Sequence, residues 1–214
     1  AVHLEPKGST YTASFEEFAA AQPLPLTDIL VNEADGAMYF TVGGRRVQSG
    51  LYRITYTGDE STVPAETVPG GEEARAERHA LEAFLQAGAK EATTEELDTI
   101  WAALGSSDRG IRHAARAALE KQPAANWKNR ASGENNAIIA TAALIALARV
   151  DAENSANAII SKATSFDYAS TKARQTRLDI LRSIMLTLTR SGQPADDQKA
   201  KLIEWLDGVY PCLL

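Results

Sequence analysis

Arg45 and Arg46 are the residues whose types and setting could do the most chemistry in this sequence. They stand side by side after Gly43-Gly44, in a stretch that closes with Gly50. Glycines there would let backbone and guanidinium groups close on a carboxylate or another anion. The ordinary alternative is a solvated hairpin loop whose arginines pair with acids of adjoining helices. Glu33, Asp35, Asp59 and Glu60 could gather around a hard cation, although no calcium-loop spacing links them and turn acids are common. His113 follows Arg112 in an Ala-rich helical stretch, where a histidine is more often a packing or surface residue than a ligand or base. Trp101, Trp127 and Trp205 recur once per helical segment and read as core anchors or, less commonly, as the lining of a concave surface.

Other chemistry is hard to find. Three histidines, His3, His79 and His113, share no metal-ligand spacing. The single cysteine, Cys212, excludes an internal disulfide, a CxxC pair or an attached c-type haem within this sequence, and nothing basic flanks it to activate the thiol. No nucleophile elbow, phosphate loop or dinucleotide fingerprint occurs. The reading is therefore no catalytic, cofactor-binding or metal residue in this chain, with Arg45 and Arg46 as candidate interaction residues.

The elements that must carry these residues change character along the chain. Its 214 residues suffice for one large domain or two small ones, and 44 % of them are hydrophobic, enough for a core. The net charge of −6 and the absence of a basic stripe argue against nucleic-acid binding. The longest apolar run, Ala137–Ala148 with Thr141 inside it, is too short to cross a bilayer.

Residues 1–57 read as four or five short strands. Ala1–Glu5 and Ser9–Phe18 flank the turn Pro6-Lys7-Gly8, Thr27–Asn32 follows two prolines, and Ala37–Val42 and Leu51–Tyr56 alternate in a hairpin opened by Asp35-Gly36. Residues 58–71, rich in Gly, Pro and acids, read as a linker. From residue 72 to 214 the period is helical, with helices expected over Glu72–Ala87, Thr94–Leu104, Asp108–Lys121, Asn135–Val150, Asn154–Ser165, Ser170–Arg190 and Ala195–Leu206. Thr93 or Thr94 and Asp108 are start signals, and Gly192 is a stop signal. Asn135–Val150, apolar on nearly all sides, should be a buried helix. Leu178, Leu181, Met185 and Leu188 form the expected apolar stripe of the longest helix, widened by Ile180 and Ile184.

Helix pairs starting near residues 94, 135 and 170 recur at an interval close to that of two-helix HEAT-type repeats. Asp108, Arg112 and Ala115 have such a repeat's layout. Asp108 can cap its helix, Arg112 can pair with it four residues on, and Ala115 permits close helix approach. Asp108, Arg112, Trp101 and Trp127 are thus structural candidates. The expected fold class is α+β: a short antiparallel β-segment followed by an α-helical, HEAT-like solenoid.

PLPLTDILVNEADGAMYFTVGGRRVQSGLYRITYTG (Pro23–Gly58) resembles the closing blade of the propeller in planctomycete-type membrane-bound dehydrogenase and haem-binding proteins. IWAALGSSDRGIRHAARAALEKQPAANWKNRA (Ile100–Ala131) resembles the HEAT-like segment that follows that propeller. The resemblance implies that the β-segment is a partial blade of a glucose/sorbosone dehydrogenase-like propeller. It also implies a periplasmic or otherwise extracytoplasmic setting and a parent protein using a quinone-type cofactor and haem c. The family's CxxCH cytochrome motif has no counterpart here, nor do the upstream propeller residues. The expectation is a non-catalytic structural and interaction segment of a larger redox protein, partnered by that protein's other domains or by another protein. Part of a sugar or aldehyde dehydrogenase, or a self-contained binding module, are the alternatives.

Overall fold

A computed structural model describes residues 1–63, 66, 68–169, 171 and 173–209. Cys212 and the expected helix start at Ser170 lie outside them. Contacts divide the chain into two compact units. One comprises Ala1–Glu5 and Thr12–Pro69; the other comprises Pro6–Tyr11 and Gly70–Leu214. The fold is α+β, with five antiparallel strands in two small sheets and eight α-helices among the described residues.

Strands β1 (Val2–Lys7) and β2 (Thr10–Phe15) form a hairpin turning at Gly8, whose φ of 56° is in the left-handed region. In the first unit, β3 (Leu26–Val31), β4 (Met38–Gly44) and β5 (Val47–Ile54) form a second sheet in the order β3-β4-β5. Asn32–Gly36 connects the first two of these through the expected turn, with Gly36 at φ 65°. Phe40 pairs with Tyr52 across β4 and β5, and their rings stack at 5.1 Å. Every residue of β3 is exposed.

The hairpin extends further than its alternation suggests. Pairing continues to Gly44 opposite Val47, so the expected Gly43–Gly50 loop shrinks to a two-residue turn, Arg45-Arg46. An irregularity in register between Val42 and Gly44 absorbs the glycine pair.

The second unit holds α1 (Glu72–Glu82), α2 (Thr94–Ala103), α3 (Arg109–Glu120), α4 (Lys128–Gly133), α5 (Ala137–Val150), α6 (Ala152–Thr164), α7 (Arg174–Ser191) and α8 (Asp196–Val209). Thr93 starts α2 through a reciprocal capping box with Glu96. Gly192 ends α7 at φ 79°. Helix α4 was not expected, because six residues are too short to show a helical period. Helices α1, α3, α5 and α7 touch in succession; α2 packs on α3, α4 on α5 and α6, and α6 on α5, α7 and α8.

As its all-round apolarity predicts, α5 is buried, with Ala140–Ile145 and Ala146–Ala148 largely inside the core. Trp101 and Trp127 are 2 % and 1 % exposed, and Ala115 is fully buried on α3. The stripe expected on α7 holds in part, because Ile180 and Ile184 are buried and Leu181 and Leu188 pack against the core. The buried face is Thr176, Ile180, Ser183, Ile184 and Thr187, whereas Met185 is 57 % exposed. Ser183 donates to the Ile180 carbonyl at 2.7 Å and Thr187 to the Ser183 carbonyl at 2.8 Å. Each hydroxyl is satisfied by its own helix, so the polar pair can be buried in place of larger apolar residues.

The start of α3 departs from the expected Asp108–Arg112 pair. The Asp108 carboxylate caps the helix, accepting from the backbone amides of Gly110 at 2.7 Å and Ile111 at 3.1 Å. It also accepts from the amide of Ser9 at 2.7 Å and the Ser9 hydroxyl at 2.6 Å, and Ser9 is fully buried. The tip of the first hairpin thus takes up the acceptor capacity that Arg112 would have used. Arg112 turns back to the carbonyls of Ser106 and Ser107 instead. These hydrogen bonds, with those from Ser9 the strongest, lower the Asp108 carboxyl from its usual 3.8 to about 2.

A depressed folded-state pKa means that this contribution to stability is present above the unfolded value and is lost as pH falls through the folded one. Stability measured by denaturant melts should therefore fall between pH ~4 and ~2. In Asp108→Asn the decline across that window should be shallower. An equally steep decline in the variant would assign the acid sensitivity to other carboxylates.

Candidate functional site: an arginine-lined groove

Because Asp108 fixes the first turn of α3, it also fixes which way the rest of that helix faces. Ile111, Ala114, Ala115, Ala118 and Leu119 go to the core. At about 100° per residue the opposite face carries Arg109, Arg112, His113 and Arg116. This face forms one wall of a groove of about 410 Å³. Ile138, Ala142 and Ile145 of α5 form its floor, and Gln175, Asp179 and Arg182 of α7 its other wall. The residues from α5 and α7 each follow an i, i+4, i+7 spacing, so three neighbouring helices present parallel rows to one cleft.

Four arginines and a histidine here face one carboxylate. Arg116 pairs with Glu120, and its second terminal nitrogen lies 3.3 Å from His113 Nδ1. Glu120 also holds Arg149 at 2.8 Å. Arg112 is anchored on its carbonyls as described. Arg109 and Arg182 are exposed and, among the described residues, make no ion pair. Asp179 accepts a hydrogen bond from the Gln175 amide at 3.0 Å. Burial pushes its carboxyl above the usual range, against the opposing pull of that hydrogen bond and of Arg182, Arg112 and Arg116. An anion entering the groove would meet preplaced guanidinium groups over an aliphatic floor.

No family model, curated protein or solved structure matches the chain.

The sequence candidates separate in space. Arg45 and Arg46 form the exposed β4–β5 turn, with Arg46 at φ 67°, and neither pairs with an acid among the described residues. Asp35 is not free for a cation. It accepts from the Tyr39 hydroxyl at 2.7 Å and the Ala37 amide at 3.0 Å and pairs with Arg53 at 3.2 Å, contacts that lower its carboxyl. Among the described residues no group of three or more His, Cys, Asp or Glu side chains could hold a metal, and no helix is long and apolar enough to cross a membrane.

Trp101 and Trp127 are core residues. Trp101 Nε1 donates to Glu134 at 2.9 Å beneath the Arg130 guanidinium, and Trp127 Nε1 donates to the Gln122 carbonyl at 3.3 Å. Trp205 is half-buried, edge-on to Tyr168. Of the sequence candidates Arg112 and His113 lie in the groove. Arg109, Arg116, Asp179 and Arg182 were missed, although R-x-x-R-H-x-x-R (109–116) at helical spacing was a readable signal.

Proposed function

We propose that the chain is a non-catalytic interaction segment whose helical unit offers the α3/α5/α7 groove as a docking surface. The observation that carries this reading is the gathering of Arg109, Arg112, Arg116 and Arg182 on one cleft of an otherwise acidic chain. Charge set against the net sign of the molecule is worth most where a partner is to be oriented. The succession α1-α3-α5-α7 with a second row of helices beside it supports a short HEAT-like solenoid, an architecture that offers extended concave surfaces.

The first unit fits the same reading. A three-stranded meander with a wholly exposed, apolar β3 is what a partial propeller blade would leave when its neighbouring strands are absent. With the resemblance of Pro23–Gly58 and Ile100–Ala131, this supports a place in a larger extracytoplasmic redox protein. The parent would supply the quinone-type cofactor and haem c. The exposed Arg45-Arg46 turn would then be a contact of the β-unit.

A photo-crosslinking amino acid at position 175, on the rim of the groove, tests the docking role in cells that make the parent protein. One discrete adduct is expected, lost when Arg109→Glu and Arg182→Glu are introduced together without loss of helical signal. An adduct indifferent to those reversals, or none at all, would remove the groove as a docking surface.

A further inference from the structure

We propose that the occupant of this groove is a short, extended acidic segment of a partner protein, its carboxylates on Arg109, Arg112 and Arg182 and an aliphatic side chain between them on Ile138. The inference rests on the docking reading and adds the partner's chemistry. Arg109, Arg112 and Arg116 are strung along one helix face at intervals of about 4.5 and 6 Å, from a rise of ~1.5 Å per residue. An extended peptide presents every second side chain to the same side, about 6.6 Å apart. The long Arg109 and Arg112 side chains can take up the difference between their ~4.5 Å rise and the peptide's ~6.6 Å repeat, and Arg182 on the other wall is left for a further carboxylate.

A small inorganic anion would require guanidinium groups converging on one point. Here Arg116 is held by Glu120 and Arg112 by the Ser106 and Ser107 carbonyls, which keeps the charges apart. The floor also has a hydrophobic foothold, since Ile138 is 45 % exposed between the two walls.

Two features favour a peptide over a nucleic-acid strand. The Gln175–Asp179 pair offers acceptor oxygens to backbone N–H groups, which a peptide has and a phosphodiester lacks. No Phe, Tyr or Trp side chain is among the described residues lining the groove, which leaves a base without a large ring to stack on.

The test uses the whole chain and fluorescence anisotropy with four probes. These are a labelled peptide with Glu at alternate positions around one Leu, its Gln counterpart, a labelled single-stranded oligonucleotide, and inorganic phosphate as competitor. The acidic peptide should bind, weakening about tenfold on changing Glu to Gln, and about tenfold again in the Arg109→Glu/Arg182→Glu protein. The Arg109→Lys/Arg182→Lys protein, which keeps the charge, should retain most of the binding. Equal binding of the Gln peptide, tighter binding of the oligonucleotide, or displacement of the peptide by equimolar phosphate would each overturn the proposal. If the acidic peptide does not bind while the adduct from position 175 still forms, the acidic chemistry is wrong and the docking surface stands. Loss of both removes both.

Discussion

Asp108→Ala should lower the stability of the helical unit by about 3 kcal/mol, the sum of a lost helix cap and stranded buried donors. Four donors converge on this carboxylate: two backbone amides of α3, and the amide and hydroxyl of Ser9. Ser9 is fully buried, so water cannot replace the lost acceptor unless the hairpin tip moves away. Ser9→Ala removes only the hydroxyl and should cost about 1 kcal/mol. In the double variant the two losses should fall short of additive, because both describe one cluster. Gly8→Ala approaches the same cluster from the other side. A Cβ there would overlap Asp108 Oδ2 on a backbone of φ +56°, so the tip could not seat as it does. Urea melts followed by far-ultraviolet circular dichroism measure all four variants. A loss under about 0.5 kcal/mol for Asp108→Ala, the range of an ordinary surface substitution, would show that the cluster does not hold the helix start.

Trp127→Ala is the second large effect, with an expected loss of about 3–5 kcal/mol. The ring is 1 % exposed within the core of the helical unit, and its truncation leaves a cavity that the close-packed surroundings only partly close. Its indole nitrogen also satisfies the Gln122 carbonyl just after α3, so Trp127→Phe should keep most of the packing and lose about 1 kcal/mol for the hydrogen bond. Thermal melts should show Trp127→Ala falling by about 10 °C or more. Trp205→Ala provides the contrast, because that ring is half-buried against Tyr168 and should cost much less. Equal losses at the two positions would contradict the assignment of Trp127 as a core anchor.

Much of the local structure was legible. Asp35-Gly36, Thr93, Asp108 and Gly192 act as the turn and caps their types suggest, because capping depends on a few adjacent backbone groups. The helical period from residue 72 and the buried α5 were equally local, since each follows from which faces of one helix are apolar. The errors lie where two segments compete for one group. Asp108 and Arg112 have ideal spacing for an ion pair, but Ser9, nearly a hundred positions earlier, takes the carboxylate. On α7 the expected stripe gives up Met185 to solvent, and its buried row takes in Ser183 and Thr187, whose hydroxyls close on their own helix.

The arginine groove shows the same division. The row Arg109, Arg112, Arg116 is written on α3 and could be read from spacing alone. That Arg182 and Asp179 face it, and that Ile138 lies between them, depends on α3, α5 and α7 packing side by side. By itself the sequence determined the order of strands before helices, the caps at Thr93 and Asp108, the burial of α5 and the lack of a recognisable catalytic motif, all of which are properties of short stretches. Only the tertiary structure decided which charges share a cleft, because helix packing sets distances between residues that the chain keeps far apart.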